Sequence, residues 1–214
     1  MKKIIILGIR NSGSTVLCQM LHRLGIDFGQ LILRGKYGFT YENLKVGAVL
    51  YLHVNPERID WTGLTACKED VTKVMTDFFD RQAPKGSAIK HQFLCAGLTV
   101  LDDAILQDFT YINCTRPLAH CIEGAKRAYP KVAEFMPEYQ TELRRGQRQI
   151  AERVRGFGGT ILDWDYDAMS PDARQELQNI CDFLELEIPP DRFENALSRY
   201  DESQRHFGHH VEQN

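Results

Sequence analysis

The stretch IIILGIRNSGSTVLCQMLHRL, residues Ile4 to Leu24, decides how the rest of the chain is read. Ile4 to Leu7 is a short apolar, β-branched run, the pattern of a strand buried on both faces. Gly8 to Thr15 follows as a tight turn of small and polar residues. Beyond it Val16, Leu17, Met20, Leu21 and Leu24 recur at helical spacing, and Gly25 is placed to end the helix. Strand, glycine-rich turn and helix together aim backbone N–H groups and a helix N-terminus at one point, which suits a phosphate-like anion. The spacing is that of the nucleotide loop G-x-x-x-x-G-K-[ST], with Gly8, Gly13 and Thr15 in place and Ser14 where the lysine belongs. That lysine serves the β- and γ-phosphates of a nucleoside triphosphate. Its absence argues against an ordinary ATPase or kinase, while the anion cradle remains. A tight turn without a ligand is the plainer alternative.

Outward from this stretch, strands and helices alternate. A glycine-rich connection, Gly25 to Gly38, leads to a short helix around Glu42 to Leu50, and Asp60 to Thr65 reads as irregular. Glu69 to Phe79 has an amphipathic helical pattern. After the turn Ala83 to Gly86, Ser87 to Leu94 reads as a strand with its exit, and Leu98 to Leu106 as a helix. Phe109 to Thr115 alternates and is rich in β-formers, a strand broken by Arg116-Pro117, after which Leu118 to Ala128 is helical. Glu134 to Val154 is a long polar helix carrying Arg144, Arg145, Arg148 and Arg153, with Arg155 just beyond. It presents either a solvated face or a patch for an anionic substrate. Thr160 to Trp164 is a further strand. Ser170 and Pro171 stand as N-cap and first residue of the next helix; Asp191 to Tyr200 is the last helix, followed by a polar tail over 201–214. This order predicts one α/β domain over residues 1–214. It is a three-layer α/β/α arrangement with a central parallel sheet, of the P-loop nucleotide-binding kind.

Composition narrows the partners. The 214 residues carry a formal net charge of −3 and the pI is about 6.2. No global basic field calls for nucleic acid or a membrane surface, and the apolar runs are too short to span a bilayer. The run behind Met1-Lys2-Lys3 reads as a core strand rather than a signal peptide. Cys18, Cys67, Cys95, Cys114, Cys121 and Cys181 are widely spaced with no CxxC pair, which suits buried reduced thiols in a cytoplasmic protein rather than a metal site or disulfides.

In a parallel sheet, ligands bind at the carboxyl ends of the strands. Three such ends carry polar groups: the loop Gly8–Thr15, the pair Lys90-His91, and Arg116. Facing one crevice, they would suit a donor with two anionic groups and an acceptor hydroxyl. His91 is either a proton acceptor or a hydrogen-bonded histidine at a strand end. His120, Trp164 and Tyr166 read as structural.

Five segments, in order, resemble the PAPS-dependent sulfotransferases (PAPS being 3′-phosphoadenosine 5′-phosphosulfate). They are Arg10-Asn-Ser-Gly-Ser-Thr-Val-Leu, Tyr41-Glu42-Asn43, Ile89-Lys90-His91, Tyr111 to Pro117, and Ile161 to Pro171 with Ile180 to Leu186. Together they cover about half of the chain. The resemblance implies that Arg10, Asn11, Ser12, Gly13, Ser14 and Thr15 hold the 5′-phosphosulfate and that Arg116 holds the 3′-phosphate. It further implies catalytic roles for His91 as base and for Lys90 and Arg10 as cations, with no metal. Asn11 stands where the family carries a cation, and Gly124 where it carries a phosphate-binding serine. The expected partner is a small-molecule or carbohydrate acceptor, with a second copy of the chain able to complete an open acceptor site. A P-loop kinase with a lysine supplied from elsewhere, and a catalytically silent binding module on the same fold, are the alternatives.

Overall fold

The computed structural model describes residues 2–29, 32–35, 38–82, 87–168 and 172–208, the side chains of 32–35, 38–39, 81–82 and 201–208 apart. β1 (Ile4–Leu7) runs through the loop into α1 (Ser14–Arg23). A hairpin of β2 (Ile32–Gly35) and β3 (Gly38–Asn43) follows, then α2 (Leu44–Leu50), a small hairpin of β4 (Val54–Asn55) and β5 (Arg58–Ile59), α3 (Trp61–Ala66) and α4 (Lys68–Asp77). Next come β6 (Ala88–Lys90), α5 (Leu94–Gly97), α6 (Asp103–Leu106) and β7 (Thr110–Thr115). The chain closes with α7 (Leu118–Ala128), α8 (Met136–Gly156), β8 (Ile161–Asp165), α9 (Ala173–Leu184) and α10 (Pro190–Gly208).

The main sheet has the order β2-β3-β6-β1-β7-β8. Five strands are parallel, and β2 is an antiparallel edge. β1 lies at its middle because all four of its side chains are apolar and buried. Successive strand residues face opposite sides. Ile4 and Ile6 therefore meet Leu17, Leu21, Ile180 and Ala196 of α1, α9 and α10. Ile5 and Leu7 meet Val46, Val71, Leu94, Cys121 and Leu143 of α2, α4, α5, α7 and α8. The result is the expected three layers. All six cysteines are buried and free: Cys18, Cys114 and Cys181 pack in the first layer, and Cys67, Cys95 and Cys121 in the second. Burial pushes the Cys18 and Cys95 thiols up to about 12. No helix among the described residues is long and apolar enough to cross a membrane.

Several boundaries differ from the sequence reading, each for a local reason. The connection before Glu42 contains the β2–β3 hairpin, and the following helix begins at Leu44, where the Asn43 side chain accepts the Lys45 and Val46 amides. Asp60 to Thr65 is not irregular: Asp60 accepts the Gly63 amide and starts α3. The helix expected over Leu98 to Leu106 breaks after a 3-10 turn at Leu98–Val100. Arg153 donates to the carbonyls of Thr99 and Leu101, occupying acceptors that a continuous helix would have used. Asp172 caps α9 by accepting the Gln175 amide; Ser170 and Pro171, like Ala83 to Gly86, lie outside the described residues. The last helix continues past Tyr200 into the segment read as a tail.

α8 packs tightly on α5 at Gly146, where an added Cβ would overlap the Cys95 carbonyl oxygen. Helix propensity alone would make Gly146→Ala stabilising by about 1 kcal/mol. The overlap is with backbone, so the expected outcome is a net loss of roughly 1–3 kcal/mol, read as a lower urea midpoint. A raised midpoint would contradict this packing.

Candidate functional site

β6, β1 and β7 are adjacent and parallel, so the residues that follow them emerge on one edge of the sheet. The Gly8–Thr15 loop, Lys90-His91 and Arg116 therefore share that edge. In the loop, Asn11 (φ 61°) and Gly13 (φ 86°) are both left-handed, which folds the chain back onto α1. An Asn tolerates that conformation. At Gly13 a Cβ would also collide with the Tyr166 ring. Gly13 is the N-cap of α1 and supplies no capping side chain, so the first turn retains uncapped N–H donors. Ser12 is buried, and its hydroxyl has no hydrogen-bond partner.

Glu42 of β3 is in register with Lys90 of β6. Lys90 is only 4% exposed. Its Nζ donates to Glu42 Oε1 at 3.2 Å, to the Thr40 carbonyl at 3.3 Å and to Thr15 Oγ1 at 3.4 Å. A lysine is thus present at the first turn of α1 after all, delivered from another strand. Burial alone would raise the Glu42 carboxyl; Lys90, His91 and Arg10 outweigh it and leave it below the ordinary value.

His91 is buried, and its Nδ1 accepts the Phe93 amide at 3.1 Å. That bond puts the proton of the neutral ring on Nε2, next to Gly47. Burial, helped by the charges of Lys90 and Arg10 and opposed by Glu42, pushes the pKa down to about 4. A ring in this state donates from Nε2 and takes no proton there. The base role assigned from the sequence does not fit this geometry; the hydrogen-bonded strand-end histidine does.

Arg10 is positioned from the other side. Its guanidinium lies 4.2 Å from the Tyr129 ring centroid, a favourable cation–π stack. Its carbonyl accepts from Gln140 Nε2 at 2.9 Å. Arg116 extends from the end of β7 over the Tyr166 ring, donates from Nε to Asp167 Oδ1 at 2.9 Å, and from Nη1 to the Asn11 carbonyl at 3.4 Å. Asp167 is shared with His120, 3.0 Å away at Nδ1. Gly124 of α7 faces the same loop, and a Cβ there would come within 2.6 Å of the Asn11 amide nitrogen. Asn11 and Gly124, the two positions that depart from the resemblance drawn from the sequence, therefore pack against each other.

Sequence reasoning missed the inner face of α8. Tyr139, Gln140, Arg144 and Gln147 are all buried. Arg144 donates to the Arg116 carbonyl at 2.9 Å, and Gln147 to Asn113 Oδ1 and the Cys114 carbonyl. The signal was there in the recurrence of Met136, Tyr139, Leu143, Ile150 and Val154, which marks an inward side for this helix. Three of its remaining arginines are held in ion pairs, and Arg148 lines a surface groove. Arg145 pairs with Glu142, Arg153 with Asp103, and Arg155 with Asp163. Trp164 and Tyr166 pack in the core, as read. Surface grooves of about 320 and 340 Å³ lie along α4 and between α8 and β7–β8, away from the loop.

No family model, curated protein or solved structure matches the chain.

The neutral state of His91 gives a signed pH dependence. Between its ordinary 6.5 and about 4, the unfolded chain binds a proton that the native one excludes. Stability therefore falls as pH drops through that window, by roughly 3 kcal/mol for this residue. His91→Asn, whose side-chain oxygen can still accept the Phe93 amide, is expected to flatten the fall in urea titrations at pH 7, 5.5 and 4. An unchanged slope would place the titration elsewhere.

Proposed function

We propose that the chain transfers a sulfuryl group from PAPS to a hydroxyl or amine of a small-molecule or carbohydrate acceptor. The observation that carries this reading is the convergence of three cations, Arg10, Lys90 and Arg116, on an uncapped helix N-terminus at one sheet edge. The residues fit such a donor. Ser12 Oγ and Arg10 Nε are buried polar atoms without a partner, and unsatisfied buried groups of this kind cost about 1–3 kcal/mol unless a ligand meets them. Arg116 sits at the loop tip as a half-buried fork suited to the 3′-phosphate.

When bound, PAPS supplies a sulfur–oxygen bond that breaks with both electrons leaving on the phosphate oxygen, while a new sulfur–oxygen or sulfur–nitrogen bond forms to the acceptor. The α1 amides and Lys90, which reaches the first turn of α1 at Thr15, stabilise the charge that develops on the leaving oxygen. Glu42 replaces His91 as proton acceptor: its carboxylate is ionised and stands at the strand end beside Lys90. Proton transfer to a positioned side chain contributes about 10²–10⁴-fold.

One observation favours a second reading. Lys90 reaches the first turn of α1 at Thr15, near the place of the lysine missing at position 14, as a P-loop kinase with a borrowed lysine would need. Thermal unfolding separates the two. At a hundredfold excess over Kd, adenosine 3′,5′-bisphosphate (PAP, the desulfated product of PAPS) should add about 2.7 kcal/mol, a rise of roughly 5–10 °C for a chain of this size. Arg116→Ala should lose most of that shift. Its own stability cost should be small, because a partly exposed ion pair contributes about 1 kcal/mol or less. A shift with ATP and Mg²⁺ but not with PAP would transfer the site to the kinase reading; no shift with either would remove both.

A further inference from the structure

The cations of the crevice are not equivalent. Lys90 is offset by Glu42 and Arg116 by Asp167. Arg144 is spent on a backbone carbonyl. Among the described residues Arg10 makes no ion pair with a carboxylate, although it is held firmly, with Tyr129 against its guanidinium and Gln140 on its carbonyl. Next to Gln140 on α8 is Tyr139, 2% exposed, whose hydroxyl lies within the influence of the Arg10 and Glu42 charges. The hydroxyl faces the Arg10 side chain, and neither it nor Arg10 Nε is satisfied by a well-formed hydrogen bond. His91 adds a third donor, Nε2–H, close enough to Arg10 for the two to interact.

Resting on the sulfuryl-transfer reading, we infer that Tyr139 and Arg10 bind the oxygens of the transferred group itself, with His91 Nε2–H beside them. The donor set fits the charge of that group. In the phosphosulfate anhydride the sulfuryl group carries one negative charge spread over three oxygens. It is matched by one uncompensated cation and neutral donors, where a terminal phosphoryl group carrying about two charges would leave excess charge in a buried place. A buried hydroxyl whose proton meets no acceptor is costly; Arg10, a donor only, cannot take it, and a hydrogen bond from Tyr139 to the sulfuryl oxygen removes that cost only while the sulfuryl is present. The assignment gives α8 a part in donor discrimination: the helix distinguishes the charged donor from the spent nucleotide.

The test compares the affinities of PAPS and PAP, without acceptor, by titration calorimetry on the full chain. For the wild type both nucleotides bind. Tyr139→Phe keeps the ring and its packing, so it should weaken PAPS roughly tenfold or more and leave PAP unchanged. A merely structural tyrosine would move both affinities together or neither. Arg10→Gln gives the same selective loss from a half-buried position and serves as the second variant should Tyr139→Phe fail to fold. Equal weakening of both nucleotides, or of neither, in the folded variant overturns this inference and leaves the transferase reading standing. Failure of the wild type to bind either nucleotide overturns both.

Discussion

Lys90 is 4% exposed, and a buried amine needs polar partners; much of this molecule is arranged by that requirement. Lys90 and Glu42 are 48 residues apart, yet they face each other where β6 pairs with β3. That pairing fixes where β3 lies and hence where α2 starts, one residue on, at the Asn43 cap. The same ammonium reaches Thr15, tying the glycine-rich loop to the strand beside it. Removing either charge would leave the other buried and alone, a loss of about 3–5 kcal/mol. The ion pair is thus both a structural rivet and the floor of the candidate site.

The layers were legible because they depend on short-range patterns. Ile4 to Leu7 is apolar at every position, and a strand buried on both faces has no other simple reading. The convergence of the loop, Lys90-His91 and Arg116 followed from strands running parallel. Pairwise chemistry was not legible. Nothing in Ile89-Lys90-His91 says that Nδ1 of the histidine meets the Phe93 amide, and that bond decides whether the ring gives or takes a proton. The break after Val100 depends on Arg153, over fifty residues away. The β2–β3 hairpin was hidden because Gly29 ahead of it and Gly35 and Gly38 at its turn read as loop.

α8 shows the same limit from the other direction. Its glutamines and arginines suggest a solvated surface, but Gln140, Arg144 and Gln147 are turned inward to satisfy carbonyls at the ends of β1, β7 and the following turns. Loops at the carboxyl edge of a parallel sheet expose many backbone acceptors. This helix supplies long polar side chains to meet them, which is why it is polar on the face that packs. Gly146 permits the close approach that brings those side chains within reach.

The six free cysteines carry a different kind of information. Three lie in each layer, on opposite sides of the sheet, and burial holds every one of them in the unreactive thiol form. Because the thiolate is the nucleophile, alkylation proceeds only when a layer opens to water. Site-resolved mass spectrometry of the alkylated chain would therefore record which half of the molecule breathes first, a native chronometer of local opening that needs no engineered label.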